Sequence, residues 1–345
     1  MLLIVLMFLH FLGSCEPQNS AFLRNERMKH KSRSFSDKDI LKLASLSNVT
    51  HFDFVLSNIL VPRVVGTPAH ERVKDFIVGN LESLGWSVEL DSFVDKVPVF
   101  GSLRFTNVVA KLNPNARRFV VLACHYDSKY FKDATFVGAT DSAVPCAMLL
   151  NLAYVMKNQL DSVKNNDSLS LALVFFDGEE AFKHWSATDS IYGARHLAQT
   201  WEDTPYPAAT RDGTNHLHRI DLFMLLDLLG APDPKFYNYF PDTVNWYKTL
   251  IEIEDKLSEH RQFQRYSYGR PAQRYFQRKS KFGGIEDDHI PFLQRNVPVL
   301  HVITYPFPSV WHTPKDDRSI VDVATCENLN KILRVFVASY LHSRV

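Results

Sequence analysis

The chain has 345 residues, 46% of them hydrophobic, and its 39 basic and 38 acidic side chains leave a formal charge of +1. That length and apolar content suffice for one large domain with a sizeable core. The charge balance argues against a dedicated nucleic-acid binder, which carries a strong basic excess, and no heptads, tandem repeats or low-complexity tracts stand out.

Residues 1–15 are apolar from Leu2 to Leu12 apart from His10, then run through Gly13, Ser14 and Cys15. This reads as a secretory signal peptide with small residues at its cleavage site, although the first residues lack Lys or Arg. It is too short to span a bilayer comfortably, so no stable membrane insertion is expected. The protein is therefore expected to be secreted or in the secretory pathway, with a Golgi-anchored or organelle-targeted form as the alternative. Residues 16–35 are polar and basic and read as a disordered tail. Residues 36–345 form the folded domain. Sequons at Asn48 and Asn166 suit a secreted glycoprotein.

Ser36 to Asp39 resembles a capping box opening a helix, and a second helix is predicted over 52–60. Val73, Phe76, Ile77, Leu81 and Leu84 recur at helical spacing. His70-Glu71 is read as surface, because Lys74 breaks the zincin pattern. Strands follow over 87–93, 103–112 and 119–124, the last ending in His125-Tyr126-Asp127. A helix over 143–157 follows Asp141, placing that carboxylate where a helix N-terminus stabilises an anion.

Residues 171–176 are an unbroken apolar run, as expected of a strand buried on both faces. The run stops at Asp177-Gly178 and is followed by Glu179 and Glu180. Adjacent carboxylates beyond a strand's carboxyl end, where α/β sheets bind ligands, need a cation or a proton between them.

After a helix over 190–201, the strand over 219–229 carries Asp227, a costly residue there without a partner. The helix over 242–259 is followed by the basic, aromatic stretch 261–281, read as a solvated loop. Asp287 and His289 open a short helix, 297–303 is a strand, and His312 lies in the loop after it. An amphipathic helix over 323–341 closes the domain. Strands alternating with helices give a single α/β domain with a central, mixed, mostly parallel sheet. Asp141, Glu180 and His312 each follow a strand of that sheet, and two carboxylates with one imidazole suit Zn²⁺ with a fourth position open.

With those residues in hand, the sequence resembles the glutaminyl-peptide cyclotransferases (glutaminyl cyclases), zinc-aminopeptidase-like α/β proteins. The likeness runs from about residue 63 to the C-terminus, and is carried by 124–129 (CHYDSK), 138–146 (GATDSAVPC), 176–182 (FDGEEAF) with His184 and Trp185, 227–232 (DLLGAP), 287–292 (DDHIPF) and 306–312 (PFPSVWH). It implies a zinc-dependent catalytic domain over 36–345, holding one Zn²⁺ per chain on Asp141, Glu180 and His312. It implies Glu179 as general acid/base beside a hydrogen-bonded acidic pair, Asp227 with Asp287, and a substrate pocket of Trp185, Glu286, His301, Phe307 and Trp311. Glu286 stands where glutamine is expected, and the loop between Tyr130 and Phe136 looks short.

The implied reaction turns an N-terminal glutaminyl residue of a peptide or protein into pyroglutamate and releases ammonia, with N-terminal Glu a poor substrate. A monomer is expected, with no nucleic-acid partner. A disulfide between Cys124 and Cys146 is expected too, since Cys15 would leave with the leader and Cys326 sits on the last helix. The runner-up is a two-zinc aminopeptidase using His125, Asp141, Glu180, Asp227 and His312. The third reading is a secreted binding protein with a dead site.

Overall fold

The computed structural model describes residues 19–281 and 283–345, so the leader expected over 1–15 lies outside it. Strands are β1 (Ser87–Val97), β2 (Gly101–Lys111), β3 (Arg118–His125), β4 (Leu169–Phe176), β5 (Ile220–Asp227), β6 (Phe236–Asn238), β7 (Phe276–Ser280) and β8 (Val299–Ile303). Helices are α1 (Ser20–Lys29), α2 (Asp37–Ala44), α3 (Val49–Ile59), α4 (Pro68–Ser83), α5 (Val144–Val155), α6 (Lys157–Asp161), α7 (Tyr192–Asp203), α8 (Val244–Glu259), α9 (Ile290–Leu293) and α10 (Val323–Leu341).

Six strands form one sheet in the order β1-β2-β4-β3-β5-β8, and β6 pairs with β7. β3 runs parallel to β4 and β5, and β5 parallel to β8, whereas β2 is antiparallel to both β1 and β4. Every residue of β3, β4 and β5 is buried, which is why these strands read as continuous apolar runs. Successive side chains point to opposite faces. Val120, Leu122 and Cys124 pack towards α3, α5 and α10, and Phe119, Val121 and Ala123 towards Leu197 of α7 and Phe292 of α9. The result is a sheet between two helical layers. His125 is level with Phe176, and Ala123 with Leu225, so the carboxyl ends of three central strands open on one crevice.

Three expectations are corrected. The basic tail over 16–35 is not disordered where it is described. Asn19 caps α1 by accepting from the Phe22 amide, Leu23 is buried, and Arg27 Nη1 donates to the Ile220 carbonyl at 3.2 Å. Arg33 N then donates to the Ser339 carbonyl, and Ser339 Oγ to that of Arg33. The polar character that suggests disorder supplies donors to carbonyls that end elements elsewhere. Secondly, α10 keeps no solvated face: it is buried from Thr325 to Leu341. Its Arg334 is fully buried, donating to the Leu43 and Ala44 carbonyls and to Glu327 Oε1 at 2.7 Å. Thirdly, His70 is not at the surface. It is buried against the Tyr126 ring, with Nε2 2.7 Å from Asp177 Oδ1, while Glu71 alone is exposed.

Candidate active site

The turn after β4 is built for the two glutamates. Gly178 has φ +69°, and a Cβ there would lie 2.4 Å from the Phe105 ring, so only glycine lets the backbone turn so close to β2. The buried Asp127, just past β3, accepts from the Glu179 amide at 3.1 Å and the Glu180 amide at 3.2 Å. One carboxylate thereby fixes both backbone positions. Lys129 Nζ donates to Glu180 Oε2 at 3.0 Å.

Asp141 is held from two sides. Arg63, fully buried, donates to the carbonyls of Tyr126, Val137 and Gly138. Asp316 Oδ1 accepts from the Thr140 amide at 2.8 Å. Gly138 has φ +50°, and a Cβ on it would lie 2.0 Å from the Asp141 carbonyl oxygen. Sequence reasoning assigned no role to Arg63, Asp127, Lys129 or Asp316. A buried arginine that binds main-chain carbonyls leaves no periodic signal, and the polar residues at the end of β3 mark Asp127 without revealing what its carboxylate accepts from.

The expected triad assembles. Ligand atoms of Asp141, Glu180 and His312 lie within 4.8 Å of one another. His312 Nε2 is 3.4 Å from Asp141 Oδ2 and 3.6 Å from Glu180 Oε1, and the latter oxygen is buried without a hydrogen bond. An orphaned carboxylate oxygen facing another carboxylate and an imidazole fits a divalent cation. His125, Asp141 and Asp227 form a second such group that shares Asp141, with His125 Nε2 3.0 Å from Asp141 Oδ1 and 3.5 Å from Asp227 Oδ1. Asp287, His289 and His301 form a third.

Burial pushes the Glu179 carboxyl well above the usual range; His125 opposes this, while Glu180, Asp287 and Asp288 add to it. Burial likewise raises Asp227 to about 7, with His125 opposing and the charge of Asp287 contributing. Asp287 and Asp288 are raised by burial as well. At Asp141 burial is outweighed by His125 and His312, which hold the carboxyl below its ordinary value. Burial lowers His301 to about 3, which favours its neutral ring, and its Nε2 lies 2.7 Å from Asp287 Oδ2. Burial and neighbouring charges thus move these carboxyls in opposite directions, Asp141 down and Glu179, Asp227, Asp287 and Asp288 up.

The hydrogen bond expected between Asp227 and Asp287 is not formed. Asp287 instead engages His301 and the Asp288 amide, and Asp227 faces His125. The charge of Asp287 contributes to the raised carboxyl of Asp227. Of the pocket residues, Trp185 and Trp311 are exposed at the rim, and Phe307 packs edge-on against Trp311 at 5.0 Å. Trp311 stacks on His312 at 3.9 Å, and Trp185 Nε1 donates to Glu286 Oε2 at 2.7 Å. His301, expected on the pocket wall, is buried at 3% exposure. Cys124 and Cys146 are buried free thiols whose sulfurs lie 2.8 Å apart, so the disulfide is not formed here, although the two residues are brought together.

Residues 107–337 match the model of peptidase family M28. A glutaminyl-peptide cyclotransferase of Drosophila melanogaster is 49% identical over 320 residues, covering 91% of this chain and 87% of that protein. This protein belongs to the glutaminyl-peptide cyclotransferase family. A crystal structure of Macrostomum lignano glutaminyl cyclase superposes with a TM-score of 0.82 at 37% identity, covering 91% of this chain and 96% of that one. A Zn-dependent exopeptidase from Parabacteroides distasonis shares the fold alone, with a TM-score of 0.65 at 20% identity over 83% and 96% of the two chains. Architecture does not separate cyclase from peptidase; sequence identity does. The acid–imidazole triads are candidate sites for a divalent cation.

Proposed function

We propose that this protein cyclises N-terminal glutaminyl residues of peptides and proteins to pyroglutamate, with Glu179 moving the proton. The observation that carries this reading is a buried glutamate, Glu179, set immediately before the triad member Glu180 on a turn whose two amides are held by Asp127. The substrate's α-amine nitrogen attacks its own γ-carbonyl carbon, the bond from that carbon to the amide nitrogen breaks, and ammonia leaves. Nucleophile and electrophile belong to one residue, so the site's main task is to hold a folded-back conformer. Glu179 takes a proton from the attacking amine and returns it to the departing nitrogen, a task for which a carboxyl raised above its ordinary range is suited. One Zn²⁺ per protein molecule, held by Asp141, Glu180 and His312, would polarise the γ-carbonyl as a Lewis acid. Burial, with the neighbouring Glu180, Asp287 and Asp288, favours the protonated form of Glu179 against the opposing influence of His125. The aromatic rim of Trp185, Phe307 and Trp311 grips one side chain and reads later residues loosely. The secretory assignment is supported by the apolar leader and by the two facing cysteines.

The grouping of His125, Asp141 and Asp227 favours a second reading, a two-zinc aminopeptidase. Elemental analysis together with mass spectrometry of products separates the two. The cyclase retains about one zinc per molecule, and a Gln-initiated peptide loses one ammonia with every peptide bond intact. Two zincs per molecule and free N-terminal amino acids would establish the aminopeptidase instead.

A further inference from the structure

We infer that Glu286 is a specificity-determining residue, which positions Trp185 at the mouth of the site and favours substrates with a cationic side chain after the N-terminal glutamine. The inference rests on the cyclase reading and extends it to the part of the peptide left outside the pocket.

Trp185 sits on a turn whose preceding amides, those of Phe182, Lys183 and His184, all donate to the buried Asp189. The backbone is therefore fixed, but the indole is 38% exposed. Its only polar anchor among the described residues is the 2.7 Å bond from Nε1 to Glu286 Oε2. On the other side, Glu286 precedes Asp287, which is locked to His301, so the glutamate stem is fixed at the border between buried acid and open rim. Two elements far apart in sequence are thus joined across the mouth by one hydrogen bond.

That bond uses one carboxylate oxygen and leaves the charge uncompensated. Among the described residues no Lys, Arg or His nitrogen pairs with Glu286. Two cations already have partners of their own: the Lys281 ammonium lies 3.1 Å from the centroid of the Tyr305 ring and 5.1 Å from that of Tyr237, and Lys129 is bound to Glu180. A substrate whose first residue enters the pocket must lead its remaining residues out past this mouth. A cationic second or third side chain there meets an exposed, unpaired carboxylate. At separations of several ångströms in water-rich surroundings such a contact changes affinity by a few-fold, and salt screens it.

Two substitutions separate charge from tether. Glu286→Gln keeps an oxygen that can accept from the indole and removes the charge. The ratio of kcat/KM for a Gln-Lys-initiated peptide to that for a Gln-Glu-initiated peptide is expected to fall roughly three- to ten-fold. The change should appear in KM, and the ratio should lose its dependence on ionic strength. Glu286→Ala removes the anchor as well. It should lower the ratio equally, and in addition raise the accessibility of tryptophan fluorescence to acrylamide and the KM of every Gln-initiated peptide. A ratio identical in the wild-type protein and Glu286→Gln would overturn the role of the charge. Unchanged quenching in Glu286→Ala would overturn the role of the tether. A wild-type protein that cyclises no Gln-initiated peptide removes the cyclase reading itself, whereas cyclisation without charge preference removes only this inference.

Discussion

Glu179 and Glu180 are neighbours with identical side chains, and their different surroundings divide the work. Glu180 is drawn to Lys129 and His312, whereas Glu179 stands among Glu180, Asp287 and Asp288, which oppose its ionisation. Glu179→Gln should keep zinc and lose about 10²–10⁴ in rate, the usual value of general acid–base catalysis. Glu180→Gln should instead lower zinc content after dialysis against a chelator. Metal analysis and rate measured on the same preparations decide the matter, and swapped phenotypes would reverse the roles. Glu179 and Glu180 were legible because they follow an apolar run that ends abruptly, and Asp141 and His312 because each lies in the stretch after a strand of the same sheet. Asp127, which ties both glutamate amides to one carboxylate, was not, since nothing in its spacing reveals what it accepts from. The contact between Asp227 and Asp287 was misjudged for a related reason. Sequence can place acids at one crevice, but the competing claims of His301 and the Asp288 amide depend on side-chain geometry.

At the scale of elements, β3 and α5 meet through Cys124 and Cys146, whose sulfurs lie 2.8 Å apart. Oxidation would join the strand end bearing His125 to the helix that follows Asp141, for about 2–4 kcal/mol of stability. Peptide mapping without reductant should recover the two cysteines linked in protein purified from an oxidising compartment, and free thiols there would remove the pairing.

Helix α10 offers a second test. Arg334→Met leaves Glu327 buried without its partner and should cost about 3–5 kcal/mol in chemical denaturation. Arg334→Met combined with Glu327→Met should recover much of that loss, because replacing both members of a buried pair is often near neutral. Equal destabilisation in single and double variants would mean that the Leu43 and Ala44 carbonyls, not the pair, set the cost. Helical periodicity located α10 correctly but misplaced its polar stripe, because charged residues at helical spacing look alike whether they face water or another element's carbonyls.

For the whole molecule, pH acts through groups outside the site. Glu254 of α8 is buried and accepts from the amides of Tyr275 and Phe276, and burial raises its carboxyl from 4.5 to about 7. The folded state therefore binds more protons than the unfolded state between those values. By linkage, the contribution of Glu254 is fully present below about pH 4.5 and is lost as pH rises through about 7. His216, lowered by burial from 6.5 to about 4, acts in the opposite sense and loses its contribution as pH falls through that window. Comparison with Glu254→Gln isolates the first effect. The stability of the wild-type protein minus that of the variant should decline from pH 4.5 to pH 7, and a pH-independent difference would show that Glu254 is ionised throughout. The sheet, its mixed character and the crevice were all readable, since apolar runs and the residues that end them are local properties. The docking of residues 19–35 onto α10 was not, because neither partner signals the other.

That docking has a bearing on how the protein is made. Arg33 and Ser339 exchange main-chain and side-chain hydrogen bonds, and His342 Nε2 lies 2.8 Å from the Lys31 carbonyl. On a ribosome the segment 19–35 emerges long before its seat exists, and α10, a wall of the core, comes after every strand of the sheet. Contacts of such long sequence separation form late, and exposed apolar surface in a waiting polypeptide invites aggregation. A segment synthesised early is thus among the last to find its place, and a nascent polypeptide stalled before residue 323 should remain protease-sensitive however complete its sheet.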